Sequence, residues 1–146
     1  DQIVKVNGDS PFICGLLIDK MVQKLSVETG KFITGKSKYS GYPTGVGAEV
    51  IEKSALNELD SKTPANLRET VTGYIFDNSH NLSFNFSVIE QSKMPQFSHI
   101  DLTVDTQTDL DYVRELWVRC DRDNPGEICL NTLFSGIKEM EKKNEL

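Results

Sequence analysis

Twice along this chain a short β-branched run ends in an acidic turn and hands over to a helical apolar pattern. Near the start, QIVKV (residues 2–6) is closed by the turn GDSP, and Leu17, Ile18, Met21, Val22 and Leu25 follow at helical spacing. Later, the strand-like IDLTV (100–104) stops at Asp105, and Leu110, Val113, Leu116 and Trp117 form one apolar stripe. A strand that feeds a helix through a tight turn is the unit of α/β folds, so an α/β fold with a largely parallel sheet is expected.

The intervening segments fit that plan. KFIT (31–34) and AEVIE (48–52) read as strands, separated by the Gly-, Ser- and Lys-rich loop GKSKYSGYPTGVG. SALNEL reads as a short helix, and residues 62–78 as a longer one with Pro64 near its start and Gly73 inside. LSFNFSV (82–88) alternates strictly, as a strand with one buried face does. QSKMPQFSH reads as a loop. Thr106 and Asp109 have the spacing of a capping box at the start of the helix after Asp105. Leu130, Leu133, Phe134, Ile137 and Met140 predict a last amphipathic helix. With 146 residues and no repeat or low-complexity stretch, one domain spanning 1–146 is expected.

Composition narrows the function. The net charge is −6 with both signs interspersed, so a nucleic-acid footprint is not expected. A polyanionic ligand would then need a local offset, which a divalent cation supplies. Cys14, Cys120 and Cys129 lack CxxC spacing and are odd in number, as reduced thiols in a reducing compartment would be. No apolar run reaches membrane-spanning length, so a cytoplasmic protein with no membrane partner is expected. The opening DQIVKV enters a strand at once and reads as a chain entered in its middle.

Ligands of open α/β sheets lie beyond the carboxyl ends of strands. Asp9 and Asp105 both stand there. If their strands are neighbours, two carboxylates share one crevice, and Mg²⁺ typically takes one or two carboxylates with water and phosphate. Aspartate is also common in turns as punctuation, and spacing alone leaves both readings open. Lys36, Lys38 and Arg68 are either anion ligands or solvated side chains. His80 and His99 are isolated, and no nucleophile–base pair stands out. DRDNPGEICLNT begins like a calcium loop but has Pro125 at position five and Thr132 where a bidentate glutamate belongs. Gly45 and Gly47 do not complete a dinucleotide-binding glycine motif.

Four segments, in order, carry a resemblance. IVKVNGDSPFICGLLIDKMV resembles the strand–GD-x-P–helix segment of sugar-activating cytidylyltransferases of the spore-coat polysaccharide type, more distantly related to CMP-Kdo and acylneuraminate synthetases. YPTGVGAEVIEKSAL is similar to that family's YP-x-G…EV segment, NLRETVTGYI to its REHVT-x-YI helix, and LTVDTQTDLDYVREL to its TVDTPEDL segment. The resemblance covers roughly Ile3 to Leu116 and leaves a helical tail, 118–146, uncovered. It implies a partial Rossmann-like nucleotidyltransferase fold, with a mostly parallel sheet and flanking helices. It further implies transfer of CMP from CTP to a sugar or sugar acid for surface polysaccharide biosynthesis, with Mg²⁺ on Asp9 and Asp105. By position, Tyr42, Glu49, Arg68 and Glu69 would line the sugar pocket. Thr70 stands where the family usually has His, Gln107 where it has Pro, and Gly47 where it has an acid. The family opens with a strand and a glycine-rich basic loop that hold the nucleotide, and no such segment stands here. The chain is therefore expected to be the C-terminal part of such a domain and to bind CTP poorly by itself. Exposed sheet edge would follow, which a homodimer could cover. Two other readings stand beside this one: a non-catalytic fragment or subunit that acts by association, and a metal-dependent glycosyltransferase of related fold, against which the run Asn7-Gly8-Asp9 argues for want of a D-x-D motif.

Overall fold

A computed structural model describes residues 1–28, 30–68, 72–91, 97–123 and 129–144. The strands are β1 (Gln2–Lys5), β2 (Phe32–Thr34), β3 (Glu49–Glu52) and β4 (Phe86–Val88). The helices are α1 (Gly15–Val27), α2 (Ser37–Ser40), α3 (Lys53–Lys62), α4 (Gly73–Asn78), α5 (Gln107–Asp123) and α6 (Leu130–Asn144).

The strands form one sheet in the order β1-β3-β2-β4. β2 and β4 pair in parallel, whereas β3 runs against both β1 and β2. Strand direction thus follows the expectation, since β1, β2 and β4 run the same way, but two of the three ladders are antiparallel. The cause lies between β2 and β3. Parallel neighbours need a crossover of a dozen or more residues, usually a helix. Residues 35–48 hold only the single turn α2, and they return directly, with Gly35 N–H bonded to Ala48 O at 2.9 Å.

Alternation along β2 and β3 sends side chains to two cores. Ile33 and Val50 join α1 (Leu17, Met21, Leu25), α5 (Val113, Leu116, Cys120) and α6 (Leu133, Ile137, Met140). Phe32 and Ile51 join α3 (Ala55, Leu59) and Ile75 of α4 on the other face. Helices therefore cover both faces of the sheet, the layering of α/β proteins. A strand buried on both sides reads as a continuous apolar run, which is why FIT and EVI show no alternation.

Several sequence-based expectations need correction. Residues 100–104 form no ladder. They make one parallel bridge, Thr44 to Asp101, and Val104 N–H donates to Asp9 O at 2.9 Å. The strand expected over 82–88 is confined to Phe86–Val88. The helix expected over 62–78 is broken: Thr63 is extended (φ −76°, ψ 122°), as a residue before proline prefers, and α4 starts only at Gly73. Trp117 leaves the α5 stripe; it is 42% exposed and its ring lies 5.7 Å from that of Phe12. The tail is no appendage, for α6 lies so close on α5 that a Cβ on Gly136 would meet Leu116 Cδ1 at 2.9 Å.

β1 is an outer strand of the sheet. Ile3 and Val4 are 38% and 40% exposed, against complete burial for Ile33 and Val50 in the inner strands.

Candidate functional site

A cleft of about 290 Å³ opens where β1 and β2 end and β3 begins. Lys5, Asn7 and Ser10 reach it from the β1 end, Lys36, Ser37 and Lys38 from the α2 turn, and Thr44 and Thr103 from the bridged segments. Its floor is the crossing of Gly35 and Gly47, so close that a Cβ on Gly47 would stand 2.7 Å from Gly35 O. This is the carboxyl end of the parallel-running strands, the position expected of a ligand site in such a sheet.

Glu49, the first residue of β3, is buried at the cleft wall with 5% exposure. Its Oε2 accepts hydrogen bonds from Lys5 Nζ at 3.1 Å and from Thr72 Oγ1. Its Oε1 lies 3.7 Å from Lys36 Nζ and has no hydrogen-bond partner among the described residues. A buried carboxylate is costly unless paired, and the two lysines provide that pairing. Lys36 is further held over the Phe76 ring, 4.4 Å from its centroid.

Asp9 and Asp105 are not among the lining residues: Asp9 precedes the lining residue Ser10 in the chain, and Asp105 stands two residues beyond the lining residue Thr103. The Val104–Asp9 backbone bond brings the two aspartates to adjoining places on neighbouring segments. Asp9 Oδ1 accepts from Ser10 Oγ at 3.0 Å, and among the described residues neither carboxylate is in a salt bridge. Asp105 is not the helix cap. Asp109 Oδ2 accepts from the Thr106 N–H at 2.7 Å, and Thr106 Oγ1 accepts from the Asp109 N–H at 3.3 Å, closing the expected capping box. Hydrogen bonds from Thr106, side chain first and then backbone, hold the Asp109 carboxyl below its usual range. Asp105 is thereby left with an exposed carboxylate. Two hard oxygen donors suit Mg²⁺. Among the described residues no group of three or more His, Cys, Asp or Glu gathers. A cation here would therefore take its remaining ligands from water and substrate.

The other candidates part ways. Tyr42 is buried in the core, stacked on Phe134 with centroids 6.3 Å apart, and burial raises its pKa ahead of the nearby Cys14. Arg68 lines a separate hollow of about 330 Å³, where its guanidinium bonds to the carbonyls of Thr63 and Asp60. Glu69 and Thr70 lie outside the described residues, as does 124–128 of the calcium-loop look-alike. His99 pairs with Glu141 on the surface at 2.9 Å. Lys5 and Thr72 went unnoticed in the sequence because only folding brings them to Glu49.

No protein-family model and no curated protein matches the chain. A solved structure does. The chain shares a Rossmann-like α/β fold with it. That structure is a cytidylyltransferase from Leptospira borgpetersenii serovar Hardjo-bovis (strain JB197), with a TM-score of 0.72 and 23% identity. The likeness covers 99% of this chain, α6 included, and the chain spans 58% of that protein.

Proposed function

We propose that the full-length protein is a cytidylyltransferase that moves CMP from CTP to a sugar or sugar acid, in the cytoplasm, for surface polysaccharide assembly. The observation that supports this reading is the Val104 N–H to Asp9 O bond, which sets Asp9 beside the segment that ends at Asp105, in a fold shared with a cytidylyltransferase. An acceptor hydroxyl forms a bond to the α-phosphorus and pyrophosphate leaves. A divalent cation on the two aspartates would screen the triphosphate and stabilise charge on the departing pyrophosphate. The chain's own groups position the acceptor: Glu49 Oε1 accepts a hydrogen bond from its hydroxyl, and Lys5 and Lys36 hold that carboxylate in place as ion-pair partners. No helix among the described residues is long and apolar enough to cross a membrane. The test is pyrophosphate release. With Mg²⁺ and a panel of sugars and sugar acids, CTP should be consumed and ATP and GTP should not. Inertness toward every acceptor would overturn the reading.

Among the described residues no strand pairs with the outer edge of β1, and that edge favours a second reading, association with another copy. Lys53 N–H bonds to Asp1 O, so the peptide groups of residues 1, 3 and 5 face β3 and those of Gln2 and Val4 face outward. A second β1 laid antiparallel about Ile3 pairs Gln2 with Val4. It also sets Asp1 of each copy beside Lys5 of the other, a complementary pairing. Sedimentation at micromolar concentration should then show a dimer. Val4→Pro, which removes only an outward N–H, should give a monomer. A monomeric wild-type protein would contradict this assembly.

A further inference from the structure

The turn that carries Asp9 is held at several points. Val104 N–H donates to Asp9 O at 2.9 Å, and Ile13 N–H donates to Ser10 O at 3.4 Å. Ser10 is 9% exposed, and its Oγ donates to Asp9 Oδ1 at 3.0 Å. A serine hydroxyl has one proton to donate, and here it goes to the neighbouring carboxylate. That bond occupies Oδ1 and fixes the orientation of the group. Among the described residues Oδ2 accepts no hydrogen bond and enters no ion pair. Asp105 differs. Its backbone N–H donates to Asp109 Oδ2 at 3.2 Å, but no hydrogen bond from a described residue reaches its carboxylate. One aspartate of the pair is thus ordered by its neighbour and the other is not. A hydrogen bond from behind orients a metal-ligating carboxylate, and losing such a partner typically weakens metal binding by about tenfold to a hundredfold.

We propose that Ser10 is a positioning residue for a divalent cation: its hydroxyl orders the Asp9 carboxylate so that Oδ2 is the oxygen that takes the metal. This rests on the cytidylyltransferase reading, in which Asp9 and Asp105 hold Mg²⁺ together with substrate phosphates. It adds the group that sets the first of those two ligands before the cation arrives. Ser10 also lines the cleft, so direct contact with the nucleotide is the competing role. Such a contact acts with or without metal, whereas positioning acts only through Asp9.

Calorimetric titration of CTP into the full-length protein, repeated over a series of Mg²⁺ concentrations, separates the two roles. In Ser10→Ala, the Mg²⁺ concentration needed for a given gain in CTP affinity should rise about tenfold, the lower end of the range for a group that orients a metal ligand. The affinity for CTP without metal should be unchanged. Ser10→Thr keeps the hydroxyl and should recover most of the loss. The same magnesium requirement in Ser10→Ala as in the wild-type protein would overturn the proposal, as would a loss that Ser10→Thr shares in full. A loss of equal size with and without metal would assign Ser10 to direct contact and overturn it as well. In all three cases a wild-type gain from Mg²⁺ leaves the metal reading standing. A wild-type CTP affinity indifferent to Mg²⁺ would instead bring down the metal reading, and the role of Ser10 with it.

Discussion

Asp105→Asn is expected to lower magnesium-dependent turnover on the order of a hundredfold to a thousandfold, the range seen when one charge-stabilising group is removed from an active site. The melting temperature should not move. Thr106 and Asp109 cap α5 between themselves, and the Asp105 side chain takes no part in that box. Asp9→Asn should behave alike. If the two carboxylates act as one cation site, the double variant should be hardly worse than either single one. A fall of less than threefold for Asp105→Asn would mean that this aspartate merely ends an extended segment. Steady-state pyrophosphate release together with thermal melting distinguishes the two outcomes.

Gly47→Ala should do its damage through the backbone. The new Cβ would stand 2.7 Å from Gly35 O and 2.9 Å from Gly35 Cα, and no flexible side chain can yield. The start of β3 must move away from the end of β2, breaking the bond from Gly35 N–H to Ala48 O. Overpacking of this kind costs roughly 1–3 kcal/mol. For a chain of this size that lowers the melting temperature by about 2–12 °C. The displaced floor should also weaken acceptor binding. Gly15→Ala is the control, since nothing lies within 4 Å of its Cβ position. Equal melting temperatures for the two variants would show that the Gly35–Gly47 crossing is loose.

Much of this was legible in local pattern, and the exceptions share a cause. The α1 and α6 stripes appear in the sequence because one helix face is buried at fixed spacing. The capping box appears because its two partners are three residues apart. The reversal of β3 was missed because direction depends on what the linking residues can build, and 35–48 contain too little helix for a crossover. The break at Thr63 was within reach, since proline disfavours helix in the residue before it. Asp9 and Asp105 could be suspected from two acidic strand ends, but their adjacency rests on one bond from Val104, across nearly the whole chain. The cleft around Glu49 was the least legible. Lys5, Lys36, Glu49 and Thr72 sit on separate segments, and no spacing rule relates them. Tyr42 and Arg68 show the reverse: position along a motif pointed to a pocket wall, while burial and the carbonyls of Thr63 and Asp60 engage them elsewhere.

Everything chemical in this reading depends on Asp9 and Asp105 holding a cation jointly with substrate phosphates. Calorimetric titration of CTP into the full-length protein, with and without Mg²⁺, addresses that dependence. CTP should bind at least tenfold more tightly with Mg²⁺, and Asp105→Asn should lose that gain while keeping the metal-free affinity. An affinity indifferent to Mg²⁺ in the wild-type protein, or a gain that survives Asp105→Asn, would contradict the assignment.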